Sequence, residues 1–495
     1  MTAPTPAIAW TIAGSDSGGG AGIQADLHTF QDFGVHGCSA ITALTAQNSV
    51  KVAQILATPR ASLMAQIDAL ASDLPASAIK LGLLASSDLV ETVVDFLQNY
   101  RGFVVCDPVL QASSGANLLD DGGLELIKTR LLPRIDLLTP NVSEAEQLTG
   151  LTIATSLAME RAARALVTLG AKAVLLTGGH IEPIDGQRHD YFTDGDHGFW
   201  LAGEDIDNHN THGSGCTLSA AIAAAVAAGH SLIDALVLAK AYVNQGIRLA
   251  QQLGAGPGPL AHRGWVTPLR DFPTLHHRAP RSTTEQMQPR FPDCGGALGL
   301  YPVVDSIEWM EKLLPLGVGA IQLRIKDPAT AALPAQIEQA VALARRYSTR
   351  LFINDHWQLA IDKGAYGVHL GQSDLDDANL QAIDNAGLRL GVSTHSYYEI
   401  ARAHGIRPSY IAIGPIYNTT TKVMKFAAQG LEHLSRWVTL LKPEYTLTAI
   451  GGINIERAPR VLATGVGSCA VVTAITEAED YRIAVEQLQA CHCPA

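Results

Sequence analysis

The chain has 495 residues, 47% of them apolar, so it exceeds one ordinary domain and can bury two large cores. Its formal charge of −12, spread along the chain, argues against nucleic acid or a membrane surface as a partner. Seven irregularly spaced cysteines, a start without a signal-peptide pattern and the lack of an apolar run of about 18 residues predict a protein of the cytoplasm.

The first half alternates short β-rich runs with helical patterns. Such alternation predicts a doubly wound α/β domain with a mostly parallel sheet between helices. Ligands of these sheets gather at the carboxyl ends of the strands. The predicted strands are 8–13, 79–84, 103–106, 135–138 and 173–176.

Polar or small residues stand at several of these strand ends. Each has a purely structural explanation: Asp26 fits a solvated acid at a helix start, and Asn141 fits a helix cap with Glu144 three residues on. Their convergence is what argues for a binding site, in which an aspartate after a strand can hold magnesium through water. The strand-end residues are Gly14, Asp26, Gln47, Asp107, Asn141 and Glu144.

A glycine-rich turn at 209–217 (HNTHGSGCT) runs directly into an apolar, helix-like stretch at 218–228. Gly213 and Gly215 allow backbone N–H groups to converge on an anion at the positive end of the helix dipole. The structural alternative is a glycine turn that caps a buried alanine-rich helix. The turn is therefore a candidate site for a transferred phosphoryl group.

Between 254 and 296 the sequence becomes rich in glycine and proline, as is typical of a linker. Trp265 and Leu269 are apolar anchors that a free spacer does not need. The start of this stretch is therefore expected to pack on the preceding domain. The predicted boundaries are a first domain at 1–268, a linker at 269–296 and a second domain at 297–495.

Six segments of the first half together closely resemble hydroxymethylpyrimidine and phosphomethylpyrimidine kinases, which belong to the ribokinase-like superfamily. The resemblance spans residues 8 to about 265. It implies two successive phosphorylations from ATP, of an alcohol to a monophosphate and of the monophosphate to a diphosphate. The segments are 11–16 (TIAGSD), 19–26 (GGAGIQAD), 41–48 (ITALTAQN), 139–141 (TPN), 177–180 (TGGH) and 211–216 (THGSGC).

The kinase resemblance also implies roles for residues. Gln47 would bind the aminopyrimidine in a pocket lined by Gly14, Asp26 and Val109. Cys216 stands where wider ribokinase-like enzymes carry an aspartate base, and a thiol at a helix start is expected to have a depressed pKa. The region for ATP and Mg²⁺ corresponds to Asp107, Asn141, Glu144 and Thr177.

Two positions depart from the kinase pattern. Thr177 and Ser113 stand where many relatives have a lysine. Both departures concern ATP affinity rather than the type of reaction. A pyridoxal kinase is the alternative for this half, because pocket shape is not visible in a sequence.

Beyond the linker, strand and helix patterns repeat eight times, which predicts a (β/α)₈ TIM barrel. Its catalytic face is the rim at the carboxyl ends of the strands. Arg324, Lys326 and Lys422 could meet a diphosphate there, and Asp355 and Asp374 are oxygen ligands for magnesium. The predicted strands are 299–304, 320–323, 351–353, 367–370, 390–392, 410–413, 447–450 and 468–472.

The barrel half strongly resembles thiamine-phosphate synthase over essentially its whole length. The resemblance implies that a pyrimidine diphosphate loses pyrophosphate and that the nitrogen of a thiazole monophosphate captures the resulting cation. The matching segments are 322–326 (QLRIK), 352–355 (FIND), 367–374 (GVHLGQSD), 391–395 (GVSTH), 414–422 (GPIYNTTTK) and 450–453 (IGGI).

This resemblance divides the rim into two groups of residues. Gln322, Arg324, Lys326, Asn354, Ser393 and Lys422 would bind the pyrimidine diphosphate, with Asp355 and Asp374 holding Mg²⁺. Thr419, Thr421, Gly452, Val472 and Thr473 would lie near the thiazole phosphate. One departure is His356, where many relatives have a further aspartate.

The leading hypothesis is one enzyme for consecutive steps of thiamine assembly, acting on small molecules with ATP and Mg²⁺. The alternative keeps the kinase but makes the barrel a tautomerase or a noncatalytic ligand-binding domain. A purely structural interaction protein explains neither set of strand-end residues. Assembly into a homo-oligomer is suggested only by the family resemblance.

Overall fold

The computed structural model describes residues 5–110, 119–120, 122–280, 290–325, 332–419 and 427–492. The chain divides into two compact units, at 1–285 and 286–495. Four residues singled out above lie outside the described residues. They are Ser113, Lys326, Thr421 and Lys422.

The described residues of the first unit form one ten-stranded sheet. Its strands are β1 (Ile8–Asp16), β2 (His36–Gln47), β3 (Val52–Ala57), β4 (Ala78–Leu81), β5 (Phe103–Cys106), β6 (Leu137–Leu138), β7 (Val174–Leu176), β8 (Gln187–Thr193), β9 (Gly198–Glu204) and β10 (Thr274–His276). Across the sheet they lie in the order β10-β9-β8-β7-β6-β5-β4-β1-β2-β3.

The centre of this sheet is parallel and both edges are antiparallel. The five predicted strands correspond to β1, β4, β5, β6 and β7, which pair in parallel with one another or, for β1, also with β2. The sequence interpretation missed the hairpin β2–β3 and the extension β8–β10. Strand β8 (QRHDYFT) is largely polar and β10 has only three residues, so neither gives a clear apolar pattern in the sequence.

Helices flank the sheet. Helix α7 is alanine-rich and packs closely on α1, α8 and the central strands β4 and β5. Side-chain caps start four others, from Ser86, Asn141, Thr155 and Ser231. The helices are α1 (Gly22–Asp32), α2 (Arg60–Asp73), α3 (Ser87–Leu97), α4 (Gly123–Leu126), α5 (Val142–Thr149), α6 (Ser156–Thr168), α7 (Ser214–Ala227) and α8 (Leu232–Leu249).

The range predicted as a linker packs on both units. Strand β10 pairs with β9, with Leu275 opposite Leu201, so this part completes the first sheet. Near the other end, Cys294 is buried in the core of the second unit and its carbonyl oxygen accepts a hydrogen bond from Arg350 at 3.0 Å. The 269–296 range is therefore wider than the segment that separates the two units.

The described residues of the second unit form a closed barrel of eight parallel strands. All eight predicted strands are confirmed, with small differences at their ends. The strands are β11 (Gly299–Val304), β12 (Ala320–Leu323), β13 (Arg350–Asn354), β14 (Gly367–Leu370), β15 (Arg389–Thr394), β16 (Tyr410–Ile413), β17 (Thr446–Ile450) and β18 (Ser468–Val471).

Aromatic rings fill part of the barrel interior, where Tyr301, Phe352 and Tyr410 meet edge to face. Outer helices connect successive strands. They are α9 (Ile307–Leu313), α10 (Leu333–Arg346), α11 (Trp357–Asp362), α12 (Asp374–Asp377), α13 (Leu380–Asn385), α14 (Tyr397–Ile406), α15 (Gly430–Leu441), α16 (Ala458–Leu462), α17 (Thr473–Thr476) and α18 (Tyr481–Ala490).

Candidate functional site

An open cavity of about 630 Å³ lies in the first unit where β1, β2 and β5 end and α5 and α7 begin. Most of the residues predicted for the kinase half line it together, although they come from distant parts of the chain. Asp26 and Thr177 are absent from its described lining. The predicted residues that line the cavity are Gly14, Gln47, Asp107, Val109, Asn141, Glu144, Gly213, Gly215 and Cys216.

The predicted glycine turn before α7 has the expected form. Gly213 is the residue before the helix and has φ +82°. A Cβ atom added there would lie 2.0 Å from the carbonyl oxygen of Gly20, so the close approach of the two loops requires glycine. The N–H groups of Gly215 and Cys216 belong to the first helical turn and have no partner inside the helix. They are available to an anion in the cavity.

Asp16 organises the facing loop, a role that the sequence interpretation missed. Its carboxylate accepts hydrogen bonds from the backbone N–H groups of Gly18, Gly20 and Ala21 at 2.8, 3.1 and 3.0 Å. Burial raises the pKa of Asp16, but these bonds and His212 outweigh it, so the pKa lies below its usual value. Asp16 is thus held as a carboxylate beneath the loop.

His212 connects this loop to Gln47, the predicted pyrimidine-binding residue on β2. Its Nε2 atom lies 3.3 Å from an Asp16 oxygen and 3.4 Å from the Gln47 side-chain nitrogen. The contact places Gln47 beside the glycine turn. The occurrence of His212 within the THGSGC segment was the only signal for this role in the sequence.

Lys80 is the second residue that the sequence interpretation missed. It is fully buried on β4, and its Nζ atom lies 2.8 Å from Asp26 Oδ2. Thr11 donates a hydrogen bond to the same oxygen at 2.6 Å. Lys80 lines the cavity, and a lysine within the apolar strand 78–81 (AIKL) was a signal that could have revealed it.

The position of Asp26 differs from both expectations. It is neither a solvated helix-start acid nor part of the described cavity lining, because it is wholly buried and paired with Lys80. Its other oxygen, Oδ1, is buried without a hydrogen-bond partner among the described residues. Asp26 therefore anchors Lys80 beneath the cavity.

The expected low pKa of Cys216 is wrong. Burial raises the pKa of its thiol to about 12. The positive charge of Lys80 opposes this, but the carboxylates of Asp107 and Asp26 reinforce it. Desolvation and acidic neighbours thus outweigh the helix start, and the thiol is protonated at neutral pH.

Asp107 and Glu144 form a buried acidic pair at the cavity. Burial raises the pKa of both carboxyl groups. The charge of Asp107 raises the pKa of Glu144 further, and the charge of Asp26 adds to the rise for Asp107, which Lys80 partly opposes. The predicted capping box holds Glu144: its side chain accepts from the Asn141 N–H at 2.9 Å, and the Asn141 side chain accepts from the Glu144 N–H at 3.0 Å. Oxygen ligands with excess negative charge suit Mg²⁺.

Thr177 lies next to this pair but contacts the backbone. Its N–H group donates to the carbonyl oxygen of Pro140 at 2.9 Å, and it forms a β-bridge with Asn141. The nucleotide role that was expected for Thr177 stays a prediction.

The second candidate site lies at the carboxyl rim of the barrel. Asp355 follows β13 with φ +63°, a strained conformation for a residue with a side chain. Burial and the nearby charge of Asp374 raise the pKa of Asp355, while Arg324 lowers it. Two repelling carboxylates beside a guanidinium group could hold a divalent cation next to an anionic ligand. Asn354 donates to Asp355 Oδ2 at 2.5 Å and helps to hold it.

The residues predicted for the thiazole phosphate lie around β17 and β18. Gly451 and Gly452 both have positive φ, and a Cβ atom added to Gly452 would lie 2.6 Å from the Asn418 carbonyl oxygen. A turn lies between these glycines and the start of α16. Helix α17 does begin immediately after β18, at Thr473, with Val472 as its preceding residue.

Among the described residues, no group of three or more His, Cys, Asp or Glu side chains is arranged to hold a metal ion. Each site offers a carboxylate pair instead. Mg²⁺ commonly takes its remaining ligands from water and substrate phosphates. Within the same residues, no helix is both long and apolar enough to cross a bilayer.

Comparison with known proteins agrees with this division of the chain. Residues 16–261 match the family model for phosphomethylpyrimidine kinase, and residues 300–475 match that for thiamine monophosphate synthase. A thiamine-phosphate synthase of Shigella dysenteriae is 58% identical over 201 residues, which cover 41% of this chain and 95% of that protein. This chain is a phosphomethylpyrimidine kinase domain fused to a thiamine-phosphate synthase domain.

Two solved structures resemble the kinase domain. The pyridoxal kinase from Staphylococcus aureus is 28% identical, with a TM-score of 0.50, and the match covers 56% of this chain and all of that one. The phosphomethylpyrimidine kinase from Clostridium difficile is 36% identical, with a TM-score of 0.43, over 49% of this chain and 99% of that one. The Staphylococcus enzyme has also been solved with AMP-PCP. The predicted fold, a ribokinase-like domain followed by a TIM barrel, is confirmed.

Gly213→Ala should lower both kinase activities at least about tenfold, because the added Cβ would collide with the facing loop and require positive φ. Rates of both phosphorylations would be measured in the full chain. Gly179→Ala is the matched control, since an added Cβ there meets nothing within 4 Å. Equal rates in the two variants would contradict a structural role for the turn.

Lys80→Met should lower the free energy of unfolding of the kinase domain by about 3–5 kcal/mol, because Asp26 would remain buried without its partner. Urea unfolding of the full chain would measure it. Lys172→Met removes an exposed ion pair with Asp136 and should cost no more than about 1 kcal/mol. A Lys80 variant as stable as this control would show that the buried pair contributes little.

Proposed function

We propose that the enzyme phosphorylates hydroxymethylpyrimidine twice with ATP and then joins the diphosphate to thiazole phosphate, releasing pyrophosphate. The observation that carries the proposal is the presence in one chain of two strand-end sites with complementary chemistry. One combines a glycine turn at a helix start with the thiol of Cys216, whose pKa is raised. The other combines cationic and carboxylate groups suited to a leaving diphosphate.

In the kinase domain, Gln47 binds the aminopyrimidine and the turn at Gly213 and Gly215 holds the transferred phosphoryl group. The thiolate form of Cys216, a minor fraction at neutral pH, takes the proton of the substrate alcohol in the first phosphorylation. The second phosphorylation uses a phosphate oxygen that is already anionic, so it needs no base. Lys80 lies beneath the cavity and supplies positive charge to this region.

Mg²⁺ in the kinase domain would be held by Asp107 and Glu144, buried carboxyl groups whose raised pKa values a cation would lower. When bound, it neutralises charge on the phosphate oxygens of ATP. Asn141 keeps Glu144 in place through the capping box. ATP would lie along this side of the cavity, towards Thr177.

In the synthase domain, departure of pyrophosphate leaves a pyrimidinylmethyl cation that its amino group stabilises. Arg324, with Lys326 and Lys422, meets the negative charge that develops on the leaving group. Asp355 and Asp374 would hold Mg²⁺, which neutralises part of that charge when bound. Asn354 helps to stabilise the leaving pyrophosphate, and Gln322 and Ser393 orient the pyrimidine. The thiazole phosphate is bound by Thr419, Thr421, Gly452, Val472 and Thr473.

A second candidate activity for the first domain is phosphorylation of pyridoxal. The similarity to the Staphylococcus pyridoxal kinase favours it. Pyridoxal and hydroxymethylpyrimidine both present a hydroxymethyl group on an aromatic nitrogen ring. Competition between the two alcohols for ATP-dependent phosphorylation would rank them. Location in the cytoplasm and assembly into a homo-oligomer stay predictions from the sequence.

The decisive experiment is a reconstituted assay with ATP, Mg²⁺, hydroxymethylpyrimidine and thiazole phosphate, followed for thiamine phosphate. We expect product only when all four are present. Asp374→Asn should abolish thiamine phosphate while pyrimidine diphosphate accumulates, because this substitution affects only the barrel. If pyrimidine diphosphate and thiazole phosphate give no pyrophosphate, the barrel has one of the alternative functions.

The pH dependence of the two phosphorylations should differ. Below the raised pKa of Cys216 the thiolate fraction grows with pH, so kcat/KM of the first phosphorylation should rise between pH 7 and 9, by up to about tenfold per pH unit. The kcat/KM of the second phosphorylation should change much less over the same pH range. Cys216→Ala should lower kcat/KM of the first phosphorylation far more than that of the second, and the ratio of the two should no longer depend on pH. Equal losses in both steps would exclude Cys216 as the base.

A further inference from the structure

A chain of hydrogen bonds crosses the interior of the barrel between two of the proposed pyrimidine contacts. Ser393 Oγ lies 2.9 Å from His369 Nε2, and His369 Nδ1 lies 2.7 Å from the Tyr410 hydroxyl. The Tyr410 hydroxyl lies 2.9 Å from that of Tyr301, which is also hydrogen-bonded by Gln322. The chain therefore runs from Gln322 to Ser393 through three residues that the proposed function does not use.

The barrel is built to hold this chain. Tyr301, Tyr410 and His369 are buried, so water does not replace their partners. A Cβ atom added to Gly391 would lie 2.2 Å from the Tyr410 ring, which shows that the ring occupies space left by this glycine. His369 stacks on the same ring with centroids 5.6 Å apart.

Each internal member of the chain has one proton to donate. Burial lowers the pKa of His369 to about 3, with Arg324 and His395 acting in the same direction, so its ring is neutral at physiological pH. A neutral imidazole donates from one nitrogen and accepts at the other. A tyrosine hydroxyl likewise donates once and accepts from its other neighbour.

These constraints leave two complete arrangements of the protons. In one, donation runs from Gln322 through Tyr301 and Tyr410 to His369 and on to Ser393. The Ser393 hydroxyl is then free to donate, and the Gln322 oxygen is free to accept. In the other, every bond reverses: Ser393 donates to His369, and the Gln322 oxygen accepts from Tyr301. Towards the substrate, the Gln322 N–H₂ group is then free to donate and the Ser393 oxygen is free to accept. Any mixed arrangement breaks a buried hydrogen bond, which is costly.

Resting on the proposed synthase function, we infer that Tyr301, Tyr410 and His369 are positioning residues that couple the donor or acceptor character of Gln322 to the opposite character of Ser393. The pair then presents one donor and one acceptor to the substrate. An aminopyrimidine offers the matching set, an amino N–H and a ring nitrogen. A ring with only acceptors at these positions would leave one end unpaired.

The inference makes a quantitative prediction about the two ends. When the chain of hydrogen bonds is intact, a substrate that contacts both Gln322 and Ser393 selects one of the two proton arrangements. The free-energy cost of that selection is then shared by the two contacts. The combined change Gln322→Ala and Ser393→Ala should therefore raise KM for pyrimidine diphosphate by less than the product of the single effects. When Tyr410→Phe interrupts the chain, the two ends adjust separately, and the single effects should multiply.

The experiment measures KM and kcat of the full chain with synthetic pyrimidine diphosphate and thiazole phosphate. Gln322→Ala, Ser393→Ala and their combination are compared in the native background and with Tyr410→Phe, Tyr301→Phe or Tyr366→Phe. Tyr366→Phe is the matched control, because its hydroxyl donates to the Cys294 carbonyl oxygen at 3.1 Å, outside the chain. Tyr410→Phe alone should raise KM for pyrimidine diphosphate about tenfold and leave KM for thiazole phosphate unchanged.

Loss of coupling with Tyr410→Phe and Tyr301→Phe, but not with Tyr366→Phe, would support the inference. Coupling that persists in both Tyr410→Phe and Tyr301→Phe would overturn the inference. Tyr301, Tyr410 and His369 would then serve only to pack the core. Tyr301→Phe supplies the same test if Tyr410→Phe does not fold. If the unaltered protein makes no thiamine phosphate, the proposed function itself fails, which is a separate outcome.

Discussion

The parallel strands of both domains impose the constraint on which the two sites depend. Their carboxyl ends face the same way, so residues far apart in the chain meet at one edge or rim. In the first domain this brings the end of β5 and the start of α7 to one cavity. In the second it places Asp355 and Asp374, from consecutive strand ends, close enough to repel each other.

Acidic side chains close to a cation are the common feature of these strand ends. The kinase cavity combines Asp107 and Glu144, whose pKa values are both raised, with the buried Lys80, which is paired with Asp26. The barrel rim combines Asp355 and Asp374 with Arg324. Such sites are costly in an empty protein and favourable when phosphate and a divalent cation arrive together. Charge balance thus connects the fold to phosphoryl chemistry in one domain and to diphosphate departure in the other.

The buried polar residues beneath the two sites differ in kind. Below the kinase cavity, Lys80 and Asp26 form a buried ion pair in which Thr11 donates to one carboxylate oxygen, and the charge of Lys80 acts on Asp107 and Cys216. Within the barrel, neutral groups form a directional chain from Gln322 to Ser393. The first supplies charge, whereas the second sets donor and acceptor identity. Both lie on strands, which hold side chains more rigidly than loops do.

The amino-acid sequence by itself determined the barrel, the five parallel strands of the first sheet and most of the cavity lining, because apolar periodicity and glycine-rich turns are local signals. It also determined the family of each domain. Only the tertiary structure decided that Asp26 is buried against Lys80, that β10 completes the first sheet and that the thiol of Cys216 has a raised pKa. Burial, edge pairing and the charges of distant neighbours depend on contacts across the fold, which no local pattern contains.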